Sequence, residues 1–123
     1  MYSAKVLDYF RHPRNAGEIP QPTIVVEATN PVCGDLLKLW TVVREGRIAD
    51  ATFKVEGCIP AVACASLLTE MIKGRSAAEL CSITAEQIEA GLDGLPSASR
   101  HASALALGGL RQLIEQLAAS THG

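Results

Sequence analysis

Residues 36–57, LLKLWTVVREGRIADATFKVEG, constrain the fold more than any other stretch of the chain. Leu37, Leu39, Thr41 and Val43 fall on alternate positions, and so do Ala49, Ala51, Phe53 and Val55 beyond Glu45-Gly46-Arg47. A period of two sends alternate side chains to one face of an extended strand. A short turn centred on glycine joins two such strands into a hairpin. A slip of one residue would move every apolar side chain to the other face. The pattern therefore selects one register, with 43 opposite 49, 41 opposite 51, 39 opposite 53 and 37 opposite 55.

Around this hairpin the signals change period. TIVVEATNP reads as a strand closed by Asn30-Pro31. A first helix with Val6, Leu7 and Phe10 on one side ends at Pro13, Asn15 and Gly17. From Pro60 to about Lys73 the spacing is helical, with Ala61, Ala65, Leu68 and Ile72 on one stripe and Cys64, Leu67 and Met71 beside it. SAAELCS and TAEQIEAGLDG are two short helices, the second opened by a Thr84–Gln87 capping box. LPSAS is a loop, a last helix runs from about Ser99 to Leu117, and residues 118–123 form a frayed tail. Helix, three strands, then helices predicts an α+β fold: a three-stranded antiparallel sheet with helices packed on one face, in a single domain over 1–123.

Composition excludes several classes. With 11 basic and 13 acidic residues there is no cationic surplus for nucleic acid. No apolar run approaches the roughly 18 residues of a membrane helix, and MYSAKVLDYFRHPRN lacks the apolar centre of a signal peptide. The expected compartment is the cytoplasm. There, disulfides are disfavoured, so Cys33, Cys58, Cys64 and Cys81 are read as metal ligands, reactive thiols or core residues. Cys64 and Cys81 fall in helices and read as core. His12 and His122 read as surface residues, and Arg100 as a solvated charge.

Cys33 and Cys58 differ, because both stand in glycine-bearing turns, NPVCGD and GCIPA. Extending the hairpin register puts 35 opposite 57 and 33 opposite 59, so the two cysteines share one end of the hairpin. Asp35, two residues from Cys33, lies on the same side of an extended segment. Cys58 precedes a helix N-terminus, which should lower its thiol pKa. Two thiolates and a carboxylate leave a tetrahedral ion one ligand short. His101 is the candidate for the fourth, although no periodicity brings it to the hairpin.

YSAKVLDYFRHPRNAG, NPVCGDLLKL, DATFKVEGCIPAVACASLLTEMIKG and LPSASRHASALA, in that order, resemble the IscU/NifU N-terminal family of iron–sulfur cluster assembly scaffolds. The resemblance runs from Tyr2 to about Leu117 and implies the same α+β fold. It implies a site at Cys33, Asp35, Cys58 and His101 for a transient [2Fe–2S] cluster or Zn2+. It further implies a scaffold rather than an enzyme, with a cysteine desulfurase as sulfur donor and apo acceptor proteins as recipients; assembly as a homo-oligomer is left open. Two departures matter. Ala102 stands where the family has a third cysteine, and alanine can neither ligate metal nor carry a persulfide. Cys64 cannot replace it, being about 9 Å further along the helix axis than Cys58. LPSAS keeps only the leucine and first proline of the LPPVK segment on which Hsp70-type chaperones dock in some members, so the motif for that partner is not matched. The long insertion of SufU-type zinc-dependent sulfur acceptors is lacking. Without a third thiolate, a zinc-binding paralogue or sulfur relay is the alternative reading. A thiol enzyme with Cys58 as nucleophile and His101 as base has no recognisable oxyanion hole to support it.

Overall fold

Strands β1 (Ile24–Asn30), β2 (Asp35–Arg44) and β3 (Arg47–Glu56) form one antiparallel sheet in the order β1-β2-β3. The structure is a computed structural model and describes residues 2–30 and 34–120. Helix α1 (Ala4–Arg11) precedes the sheet; α2 (Ile59–Ile72), α3 (Ala77–Leu80), α4 (Ala85–Gly91) and α5 (Arg100–Ser120) follow it. A 3-10 turn at Ser97–Ser99 leads into α5.

The sheet's inner face is built in cross-strand rows. Val26, Leu39 and Phe53 form one row, Ala28, Leu37 and Val55 the next, and Ile24, Thr41 and Ala51 a third. All but Val55 are buried. Each large aliphatic so placed contributes about 1.5–3 kcal/mol relative to exposure. Thr41 is tolerated because its hydroxyl donates to the Ile24 carbonyl at 3.0 Å. Helix α5 lies over β1 and β2, and α2 lies beside β3. Helix α5 approaches closely because Gly108 and Gly109 face Ala28 and Leu37. Helix α1 docks on α2 and is followed by a segment whose Arg14 amide donates to the Ser66 hydroxyl, and whose Asn15 amide group donates to Thr69.

The free edge of β3 is covered. Phe53 donates to the Asn15 carbonyl and accepts from the Gly17 amide, while Ile48 donates to the Arg75 carbonyl and accepts from Gly74. These bonds occupy backbone groups that would otherwise offer a template for another strand.

The predicted register holds at 41–51, 39–53 and 37–55, but not at the turn. Val43 pairs with Ile48 rather than Ala49, and a bulge at Val42/Val43 absorbs the difference. The loop has two residues, Glu45 and Gly46, both with positive φ (55° and 74°). That is the turn whose twist suits a hairpin, and it buries Ile48 while leaving Ala49 exposed. The capping box at Thr84 and Gln87 forms as predicted. Helix α5 continues to Ser120, so residues 118–120 are helical; residues 121–123, His122 among them, lie outside the described residues.

Candidate metal and sulfur site

Three chain segments converge at the end of the sheet opposite the hairpin turn. Asp35 opens β2, Cys58 is the N-cap of α2 immediately beyond β3, and His101 lies in the first turn of α5. The register explains the first two: with Leu36 opposite Glu56, Asp35 is carried beside Gly57 and Cys58. The third arrives through the packing of α5 across the sheet. The Asn30 side-chain amide, 3.5 Å from the His101 carbonyl, forms a long bond between the end of β1 and the start of α5.

Cys58 Sγ lies 3.4 Å from Asp35 Oδ2 and 3.5 Å from His101 Nε2, and those last two atoms are 3.6 Å apart. Asp35 is buried, whereas Cys58 and His101 are partly exposed, so the triangle is backed by protein and approachable from one side. The ring's other nitrogen, Nδ1, is 3.1 Å from the Ala98 carbonyl. A carbonyl can only accept, so Nδ1 donates to it, and Nε2 is the ring nitrogen that faces the sulfur and carboxylate. Metal-binding histidines are commonly fixed in this way.

These spacings can be compared with those around one tetrahedral ion. Metal–sulfur bonds of about 2.3 Å and metal–nitrogen or metal–oxygen bonds of about 2.0–2.2 Å at the tetrahedral angle give edges of roughly 3.6 Å to sulfur and roughly 3.4 Å otherwise. The three observed edges match to within a few tenths of an ångström. Aspartate, thiol and imidazole thus already mark three corners of such an ion, leaving one corner to be supplied.

Burial pushes the Cys58 thiol above its ordinary pKa, the Ala61 backbone amide at the start of α2 pulls the other way, and the Asp35 carboxylate raises it again. The expected lowering by the helix N-terminus is present but outweighed. A cation among the three donors reverses this balance, because it stabilises the thiolate directly.

Cys33 lies outside the described residues. Cys64 is wholly buried, and burial is the main reason its thiol is pushed up to about 12. Cys81 is exposed, contrary to the core expectation. Helix α3 is one turn of four residues that buries only Leu80, and Cys81 is its C-cap, on the solvent side. Ala102 is wholly buried. Arg100 is largely exposed and lies 3.9 Å from Glu89. Two supporting groups were not visible in the sequence: the Ala98 carbonyl, which selects the imidazole tautomer, and Asn30, read there only as the end of a strand. Asn30-Pro31 carries a turn signal, but nothing local points Asn30 at a helix over seventy residues away.

Fold and site together define an α+β domain that gathers a thiol, a carboxylate and an imidazole at one sheet end. The sequence matches the profile of the family described as NifU-like N terminal domain over residues 1–122. It is 43% identical over 114 residues to the iron–sulfur cluster assembly scaffold protein IscU 1 of Archaeoglobus fulgidus, covering 93% of this chain and 74% of that protein. It is also 43% identical over 109 residues to the iron–sulfur cluster assembly scaffold protein IscU of Buchnera aphidicola, covering 85% of each. A solved structure described as a hypothetical protein superposes with a TM-score of 0.75 at 27% identity, covering 91% of this chain and 95% of that one. The chain belongs to the NifU-like N-terminal domain family. No helix among the described residues is long and apolar enough to cross a membrane.

Proposed function

We propose that this chain is an iron–sulfur cluster assembly scaffold that receives sulfur from a cysteine desulfurase, builds a [2Fe–2S] cluster and passes it to apo acceptor proteins. The observation that carries the reading is the convergence of a carboxylate, a thiol and an imidazole, from Asp35, Cys58 and His101, at one partly exposed end of the sheet. Its support from kinship is the naming of relatives at 43% identity as scaffolds. Cys33, two residues before Asp35 in the chain, is assigned as the fourth donor. A [2Fe–2S] core needs four terminal donors, two per iron. Cys33, Cys58, Asp35 and His101 make four, and histidine ligation of such clusters has precedent in Rieske centres.

Sulfur arrives as a persulfide on the desulfurase. Cys58, whose thiol donates to Asp35 Oδ2 and lies beside His101 Nε2, passes its proton to this carboxylate–imidazole pair and attacks the outer sulfur. A sulfur–sulfur bond forms on Cys58 as the donor's breaks, and the desulfurase cysteine leaves as thiolate. Two electrons from an external electron-donor protein then release the sulfur as sulfide to iron, regenerating the Cys58 thiolate. With two thiolates instead of three, the assembled cluster is held loosely, which favours handover.

A second reading follows from buried Ala102 and from donor spacings that suit a single ion: a zinc-binding paralogue or sulfur relay that no longer builds clusters. Anaerobic reconstitution with Fe2+, cysteine and a desulfurase separates the two. The scaffold reading expects visible charge-transfer absorbance that moves to an added apo-ferredoxin. Tight zinc binding with no cluster would overturn it in favour of the second.

A further inference from the structure

Gly57 sits between the end of β3 and the cysteine that opens α2. Its φ is not among the positive values, so no left-handed backbone demands glycine there. Space does. A Cβ on Gly57 would stand 2.6 Å from Asp35 Oδ1, 2.8 Å from its Cγ and 3.1 Å from its Cβ. Rotation of the carboxylate about χ2 moves only the oxygens and leaves the Cγ and Cβ contacts in place. Relief requires a new χ1 for Asp35 or a parting of the β2 and β3 ends. Asp35 is only 5% exposed, which leaves little room for the first. Both escapes carry Oδ2 away from the sulfur and imidazole it now faces at 3.4 and 3.6 Å.

Gly91 and Gly109 are similarly crowded, but a Cβ there would meet the ends of Leu67 and Leu37, which belong to the apolar core. Among the described glycines, Gly57 alone would meet a polar group of the site.

We infer that Gly57 is a positioning residue: its missing side chain leaves the space in which the Asp35 carboxylate shares an ion with Cys58 and His101. The inference rests on the reading that these groups hold a metal ion. Its steric part makes a separable demand, that any effect of Gly57→Ala passes through Asp35.

The test is anaerobic Co2+ titration of wild type, Gly57→Ala, Asp35→Gly and the double variant, following affinity and the ligand-field and sulfur charge-transfer bands. Gly57→Ala should weaken Co2+ by about 10- to 100-fold and give bands like those of Asp35→Gly. In the Asp35→Gly background, the added alanine should change affinity less than about twofold, since the cycle removes the contact it would make. Wild-type affinity and bands in Gly57→Ala, or equal weakening in both backgrounds, overturn the inference while the metal-site reading stands. Absence of sulfur-ligated Co2+ in wild type overturns the metal-site reading and the inference with it. If Gly57→Ala fails to fold, recovery of folding in the double variant supports the clash, and continued failure refutes it.

Discussion

The contact between α5 and the sheet predicts opposite outcomes for two adjacent substitutions. A Cβ on Gly109 would lie 2.9 Å from Leu37 Cδ2, whereas a Cβ on Gly108 would meet only Ala28 Cβ, at 3.8 Å. Ordinary carbon contacts fall at about 3.5–4.0 Å, so Gly109→Ala needs Leu37 or α5 to yield by roughly 0.6–1 Å. Leu37 is wholly buried between Ala28 and Val55 in its row, so any swing of its Cδ2 displaces core neighbours. Overpacking of this kind costs about 1–3 kcal/mol. Against it stands the gain in helix propensity from Gly to Ala, about 0.8–1 kcal/mol. At Gly109 the clash exceeds or cancels the gain, giving a net loss of about 0–2 kcal/mol. At Gly108 the gain stands alone, giving a stabilisation of about 0.5–1 kcal/mol. Urea unfolding of the metal-free protein, followed by far-UV circular dichroism at constant m-value, measures both. A Gly109→Ala variant more stable than Gly108→Ala would refute the packing argument.

Three further outcomes follow from the cysteines and the carboxylate. With excess thiol present to take the vacated iron position, Asp35→Ala should lengthen the life of a reconstituted cluster, read from decay of its visible absorbance, because thiolate holds iron more firmly than an exchangeable carboxylate; faster decay under those conditions would count against its assigned role. Mass-spectrometric mapping after brief alkylation of the native protein should find exposed Cys81 labelled first and Cys64 labelled only after unfolding. Cys64 should also make stability fall in alkali. Its thiol titrates near 9 when unfolded and at about 12 when folded. Between those values the unfolded chain sheds a proton that the folded one keeps, so the contribution is intact below pH 9 and declines above it by up to about 1.4 kcal/mol per pH unit. Cys64→Ala should be less steep over that range in urea titrations, and an unchanged slope would show that Cys64 is not the group responsible.

The strand pairing was legible because alternation in two strands admits one register at the hairpin base, and that register carries Asp35 to Cys58. The turn was misread because the preference for two left-handed residues competed with a pattern counted as unbroken alternation. Ile48, not Ala49, was the apolar residue to bury, and a bulge reconciles it with the base. Cys81 was misplaced because a helical spacing says nothing about a helix that stops after one turn. His101 could be chosen by its side chain but not located: its approach depends on α5 settling on Ala28 and Leu37, contacts separated by roughly seventy to eighty residues of chain. The crowding of Gly57 against Asp35 is equally non-local, although the register had already put the two positions opposite each other.

The bond from His101 Nδ1 to the Ala98 carbonyl has a consequence for repeated use. It does not compete with an ion for Nε2, so on the proposed function the ring stays tethered when cargo departs. Discharge would then not let the imidazole tumble into solvent, and a next round would start from a cradle already in shape.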